Sequence, residues 1–521
     1  MMDEFWQFGQ SKHLFDEFFH TKWPGKAVGY AVFYKLSHWA GWDAQSMLLI
    51  GRLQTALLTC GLLVIIYRIA RSMDEPAVFA VLVVLVMLCF STFIERSFRL
   101  RSEPLAVFFA AAALWACVSR EVLPWHRIVL AGVLCGLSVL ATQKAAYFCL
   151  ALGVALVASA LADRSLRGAC QHGALLVLGW ALPIVIYCVA FRPDNPLLVA
   201  ENLVRGPVEV AVSGHQFYSD LRVFVTQTVM RNLPLYALCG LGLAVSLWRW
   251  SKLTTRQRIT AVFTLIVSAL VFSHTQPWPY VFIMAIPFLA LWALVPLRLL
   301  ANRPVLKSLS LAFGIVVVAT SFVRNGTYLS HDNSHQVALM RQVEELLDTG
   351  ETYFDGSGML PNRRQSVEHW LDARWVWRTT SEGSNSKVYR DLAASPPKVL
   401  IDSYRLSAVS DALGPVLKDR YIGIAPNIRI VGRKIHPEHS TVFDVPVAGA
   451  YRLYDEAGAP QTDALEIDGK LQIPPFQLQP GKTTVLLEAP APMYLLPDNL
   501  PFAPSPSTYT VTPVYVDVYS F

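Results

Sequence analysis

Apart from Arg52 near one end, no charged residue sits in the middle of the long apolar runs of this chain; the few others lie at their edges. Charged residues make up only 16% of the 521 residues, against roughly a quarter in soluble domains. An ion-coupled transporter places acids or bases along its pathway, so this deficit argues against transport. The eight cysteines all precede residue 240 and fall in apolar runs, without CxxC pairs. That excludes a disulfide framework in the C-terminal half and a thiolate zinc site, and leaves the cysteines as small packing residues. No Lys/Arg stripe with interleaved aromatics occurs, which argues against nucleic acid. Internal repeats and long low-complexity tracts are also missing.

What the chain does have is hydrophobicity: 54% hydrophobic residues and a mean hydropathy of +0.39. A spanning helix needs roughly 20 apolar residues. Ten runs qualify, at about 46–70, 77–95, 104–119, 126–142, 145–163, 171–191, 232–249, 258–274, 278–297 and 306–323. Residues 28–39 are apolar on one side and carry Lys35 and His38, which reads as an interfacial helix. Arg and Lys are denser in one alternating set of loops, including Arg68 and Arg71, Arg164 and Arg167, and Arg249 to Arg258. By the positive-inside rule that set faces the cytoplasm. The other set includes a long loop from 192 to 231. Both ends of the chain then lie on the outer side. Met1 to Ala27 is polar without a signal-peptide core, so this orientation requires either that the segment translocates unaided or, the reading we favour, that a further span lies upstream of it.

After Arg324 the pattern changes. Residues 335–347 have helical apolar spacing, 353–356 and 399–402 read as short strands ending in turns, and 366–376 reads as a helix between them. From Thr441 the residues alternate, with turns at Ala448-Gly449, Asp468-Gly469 and Pro480-Gly481. Residues 490–506 are proline-rich and read as an irregular loop. The predicted fold is therefore an all-α membrane bundle followed by an outer α/β segment and a β-sandwich. Its divisions are an outer loop with interfacial helices at 1–45, the bundle at 46–323, the α/β segment at 324–435 and the sandwich at 436–521.

Four polar clusters share the outer face in this topology. The first holds Asp3, Glu4, Asp16, His20 and Lys22; acids beside aromatics suit general-base or metal chemistry, and the same segment also reads as a solvated tail. The second is Glu95 to Glu103, with Arg96, Arg99 and Arg101 on the face where arginine is uncommon. An anionic ligand or local ion pairs with Glu95 and Glu103 would each explain it. The third is Gln143-Lys144 at a span end, where snorkelling is the alternative. The fourth is His274, Gln276, Trp278 and Tyr280; Trp and Tyr belong to interfacial belts anyway, while His274 and Gln276 beside them suit sugar or phosphate contact.

With these clusters the chain resembles GT-C-type polytopic glycosyltransferases, the class of dolichyl-phosphate-mannose protein mannosyltransferases and bacterial aminoarabinose transferases. Asp3-Glu4 resembles the acidic motif of the family's first external loop, and Phe18-Phe19-His20-Thr21-Lys22-Trp23-Pro24 a later motif in that loop. Arg99 to Pro104 resembles the arginine–acid motif opening a later helix, Gln143-Lys144 the lysine at the outer end of the next span, and Tyr353 to Gly356 a strand of the outer domain. The resemblance extends to about residue 420. The missing first helix and the short spacing from Asp3 to Pro24 depart from the family pattern and leave either Asp3 or Asp16 as its catalytic acid.

The resemblance implies a membrane glycosyltransferase, hexosyl or pentosyl, moving a sugar from a polyprenyl-phosphate donor to an acceptor that is a lipid, glycan or protein. It implies a carboxylate of Asp3, Glu4 or Asp16 as base; with the clusters above, the residues expected to bind substrate are His20, Lys22, Arg99, Arg101, Glu103, Lys144, His274, Gln276 and Tyr280. No metal site is predicted; a divalent ion is compatible with the acids but not required, because basic side chains can hold the phosphate. The implied location is a multi-pass inner membrane of a bacterium, with the C-terminal domain periplasmic. The rival functions are a flippase of lipid-linked sugars and a non-enzymatic polysaccharide assembly protein.

Overall fold

A computed structural model describes residues 8, 9, 11, 12, 29–191, 195–213, 220–301, 304–330, 332–367 and 369–512. They divide into two compact units, one drawn from Gln10–Ala40 and Leu49–Asp332, the other from Met1–Gly9, Gly41–Leu48 and Asn333–Phe521.

Among its described residues the first unit is helical throughout. Its helices are α1 (Gly29–Ala40), α2 (Ala44–Ser72, whose first turn belongs to the other unit), α3 (Ala77–Cys89), α4 (Ser91–Arg96), α5 (Ser102–Val118), α6 (Trp125–Ala141), α7 (Ala146–Ala162), α8 (Leu166–Phe191), α9 (Pro196–Ser213), α10 (Arg222–Arg231), α11 (Leu233–Trp248), α12 (Thr255–Phe272), α13 (Ile286–Ala290), α14 (Leu294–Ala301) and α15 (Pro304–Gly326). Four are long and apolar enough to cross a membrane: Ala44–Ser72, Gln143–Ala162, Leu166–Ala190 and Thr255–Phe272. A fifth results if α10 and α11, bent by 90° at their junction, form one broken span. Five shorter apolar helices, such as Ser102–Val118 and Trp125–Ala141, fall below that length. Ten spans are therefore more than helix length alone supports.

Helices α6 and α8 approach backbone to backbone. A Cβ on Gly132 would lie 2.3 Å from the Leu176 carbonyl oxygen, and one on Gly179 would lie 2.2 Å from that of Val129. Small residues at such crossings are how helices gain packing contacts where lipid supplies no hydrophobic drive.

Two sequence expectations for this unit need correction. The loop expected over 192–231 contains α9 and α10. In α9, Arg205 bridges Glu201 (3.3 Å) and Glu209 (2.7 Å) at helical spacing, a support for an exposed helix that an apolar-run search does not see. The run at 278–297 is not one continuous helix. It is a 3₁₀ segment (Pro279–Met284) followed by α13 and α14, because Pro279, Pro287 and Pro296 each remove a backbone donor. Residues 281–294 are buried, so their uniform apolarity reports a protein interior.

The second unit opens with α16 (Ser334–Leu346) and a five-stranded sheet of order β2-β1-β3-β5-β4. Its strands are β1 (Thr352–Phe354), β2 (Arg364–Gln365), β3 (Val399–Ile401), β4 (Tyr421–Ala425) and β5 (Ile428–Val431), with β1 parallel to both β2 and β3. Between them run α17 (Ala373–Glu382), α18 (Lys387–Ala394), α19 (Tyr404–Ala408) and α20 (Gly414–Arg420). The helix expected at 366–376 starts instead at Ala373, because the Asp372 carboxylate accepts the Trp375 N–H at 2.9 Å and fixes the start there.

Two four-stranded antiparallel sheets follow. One has the order β10-β9-β12-β7, from Lys470–Gln472, Leu465–Ile467, Gly481–Leu487 and Thr441–Val445. The other has the order β11-β8-β13-β6, from Phe476–Leu478, Gly449–Tyr454, Met493–Pro497 and Arg433–Ile435. Strand β6 thus begins ahead of the boundary placed at 436. The loop expected at 490–506 contains β13, whose residues are all buried and pair with β6 and β8. Four consecutive apolar residues, Met493 to Leu496, outweigh the flanking prolines, which stop the strand at Pro497.

Candidate functional site

The Arg-rich turn joining α4 to α5 is held from two sides. The Tyr34 hydroxyl of α1 donates to the Arg101 carbonyl (3.2 Å) and pairs with the Thr55 hydroxyl of α2 (2.9 Å). The Thr59 hydroxyl donates to the Ser97 carbonyl at 2.7 Å. Arg101 sits in extended conformation at the N-cap of α5, which places Glu103 in the first helical turn. A carboxylate there faces the positive end of the helix dipole.

Glu103 is 1% exposed and joins two basic residues distant in sequence. It accepts from Arg101 Nε at 3.1 Å and from Lys144 Nζ at 2.9 Å. Lys144 lies on the 3₁₀ turn Gln143–Ala145 that links α6 to α7. Both cations also sit over the ring of Tyr280, at 3.5 Å for Arg101 Cζ and 4.5 Å for Lys144 Nζ from its centroid. Cation–π attraction of this kind is worth about 2 kcal/mol when desolvated. The trio of Arg101, Glu103 and Lys144 carries a net single positive charge. Next to this pair stands a further contact: the Tyr147 hydroxyl lies 2.8 Å from His274 Nδ1, with the two rings edge to face.

Not every residue singled out in the sequence joins this group. Arg99 turns back to Glu95, donating from Nε to its carbonyl at 2.9 Å and approaching its carboxylate at 3.6 Å. Arg96 meets the same carboxylate at 2.5 Å. Gln276 is half-buried on the loop between α12 and the 3₁₀ segment. Asp3, Glu4, Asp16, His20 and Lys22 lie outside the described residues. Tyr147 and Tyr34 escaped the sequence argument. Tyr147 had a signal, since it follows Lys144 by one helical turn, but an interfacial tyrosine carries no chemistry until a partner is seen.

The arrangement can hold an anion and stabilise negative charge that develops on it, because its donors are fixed in advance in a partly dehydrated place. Its one carboxylate, Glu103, is already committed to two cations, and the His274 imidazole is engaged through Nδ1 with Tyr147. Among the described residues no group of three or more His, Cys, Asp and Glu side chains could hold a metal ion.

Comparison with known proteins gives a fold likeness and two unassigned domains. Residues 377–430 match a domain of unknown function, DUF7056, and residues 433–497 match another, DUF7055. No curated protein matches the chain. Among solved structures it is similar to the archaeal oligosaccharyltransferase AglB from Archaeoglobus fulgidus in complex with an inhibitory peptide and a dolichol-phosphate. The TM-score is 0.50 at 12% identity, over 97% of this chain and 73% of that one. The apo form of the Archaeoglobus fulgidus oligosaccharyltransferase aligns with a TM-score of 0.50 at 11% identity, over 92% of this chain and 71% of that one. The apolar helices and this shared architecture make the chain a multi-pass membrane protein with a strand-rich C-terminal part.

Proposed function

We propose that the protein is a GT-C-type membrane glycosyltransferase that moves a sugar from a polyprenyl-phosphate donor to an acceptor hydroxyl on the outer face. The observation that carries this is the meeting of Arg101 and Lys144 on Glu103 and Tyr280 in a chain with an oligosaccharyltransferase fold. The solved neighbour holds an inhibitory peptide and a dolichol-phosphate, the latter a lipid phosphate of the kind this reaction needs. In the step we infer, the acceptor oxygen bonds to the anomeric carbon as the bond from that carbon to the phosphate oxygen breaks. The bonding pair leaves with the lipid phosphate, and the acceptor proton passes to a carboxylate of the N-terminal segment. Arg101 and Lys144 attract the phosphate as its charge rises. Transfer of labelled sugar from a polyprenyl-phosphate donor by membranes containing the protein tests the reading. Loss of that transfer in Lys144→Ala with normal expression is the expected result; undiminished transfer would remove Lys144 from the donor site.

The topology we propose puts the chain around Arg256 and Arg303 in the cytoplasm and the C-terminal unit outside. Reporter fusions at those two arginines should report cytoplasm, and fusions after Ser334 should report the outer compartment. A cytoplasmic C-terminus would reverse the orientation and put the Arg101–Lys144 group on the wrong face for an outer-leaflet donor.

A further inference from the structure

Helix α9 starts where the Asn195 side-chain oxygen accepts the Leu198 N–H at 3.2 Å, with Pro196 as the first helical residue. A second proline, Pro207, lies inside the helix. Its missing N–H leaves the carbonyl four residues earlier without a helical donor. That carbonyl belongs to Leu203, and the Gln143 side-chain amide donates to it at 3.1 Å. Gln143 opens the apolar span Gln143–Ala162 and directly precedes Lys144. Helix α9 also packs against α8, and it begins shortly after the span Leu166–Ala190 ends. The short turn between these two spans brings Ala190 back to the end where Gln143 lies, so α9 sits at one and the same end of both.

The exposed side chains of α9 form two stripes. Leu197, Val204 and Val208 are 79%, 69% and 57% exposed, and their spacing of i, i+7 and i+11 puts them on one face. Glu201, Arg205 and Glu209, at i, i+4 and i+8, form the ion-paired stripe beside it. Val199 and Leu203, on the far side, are buried. Large apolar side chains left in water cost free energy in proportion to their exposed area. At the rim of a bilayer the same pattern is favourable, because the apolar stripe enters the acyl boundary while the charges stay at the headgroups. The ends of two spans place α9 at such a rim.

We propose that α9 lies in the membrane surface on the side of Lys144. Leu197, Val204 and Val208 sit among the lipid chains, Glu201, Arg205 and Glu209 sit among the headgroups, and Gln143 ties the Lys144 turn to the helix at that depth. This goes beyond the transferase reading, and its test needs neither donor nor acceptor. Spin labels are placed one at a time at these six positions of the full-length protein in phosphatidylcholine nanodiscs, after the exposed Cys60 and Cys170 are changed to serine. Labels replacing Leu197, Val204 and Val208 should collide more with oxygen, which concentrates in lipid, than with a water-soluble nickel complex. Labels replacing Glu201, Arg205 and Glu209 should reverse that ratio. Nickel-dominated collisions along both stripes would put the helix in water and overturn the proposal. Shielding of the apolar stripe from both reagents would mean a protein cover and overturn it equally. In Gln143→Leu the label at Val204 should gain mobility and nickel contact, because the Leu203 carbonyl has lost its donor; an unchanged spectrum would remove Gln143 as the tie.

Discussion

Glu103→Ala should cost the protein stability and sugar transfer together. The carboxylate is 1% exposed and is the counter-charge that allows Arg101 and Lys144 to share the Tyr280 ring. Removing one partner of a buried ionic group costs about 3–5 kcal/mol, because the remaining charges stay dehydrated without compensation. Here two cations remain, and they repel each other. Lys144 is 26% exposed, so its head can turn toward water and relieve part of the penalty, which places the loss toward the lower end. Glu103→Gln keeps the shape and can still accept one hydrogen bond, and its loss should be smaller. The double change Glu103→Ala with Lys144→Met should be less destabilised than the sum of its parts, since the residues are in contact and the second change removes the orphaned charge. Melting of the detergent-solubilised protein measures all three. If Glu103→Ala melts with wild type, the carboxylate is not the support of this site.

The sequence showed the parts of the fold that rest on simple periodicity, and it failed where several short influences compete. The apolar runs all fall on helical segments, because lipid and a buried interior both demand apolar side chains on most faces. The strands at Tyr353 and Val399 stand out since runs of two and three apolar residues, each ending at Asp, leave few alternatives. The start of α17 was misplaced because Ser366 to Trp370 has acceptable helical spacing, and only the cap formed by Asp372 decides against it. β13 was hidden by the prolines around it. At the site, Arg101, Glu103, Lys144 and Tyr280 were each visible as polar or aromatic residues at span ends. Their meeting was not, because it depends on how α4, α5, the turn before α7 and the broken 278–297 segment pack, and no pairwise spacing encodes that.

Asp3→Asn is expected to lower turnover by about 10²–10⁴, the usual worth of a positioned general base. The proposal places the base on the N-terminal segment because the carboxylates of the described cluster are committed: Glu103 is held by two cations, and Glu95 by Arg96 and Arg99. The substitution keeps size and polarity and removes only the ability to take the acceptor proton. Donor binding should therefore change little. Arg101→Ala should act differently, weakening donor binding because the phosphate loses a charge-assisted partner, with a fall in transfer that excess donor partly restores. Asp16→Asn distinguishes the two acids that the family resemblance leaves open. Activity in Asp3→Asn with none in Asp16→Asn would move the base to Asp16. Full activity in both variants and in Arg101→Ala, assayed in membranes with a polyprenyl-phosphate sugar, would refute the transferase and leave a non-enzymatic role in polysaccharide assembly.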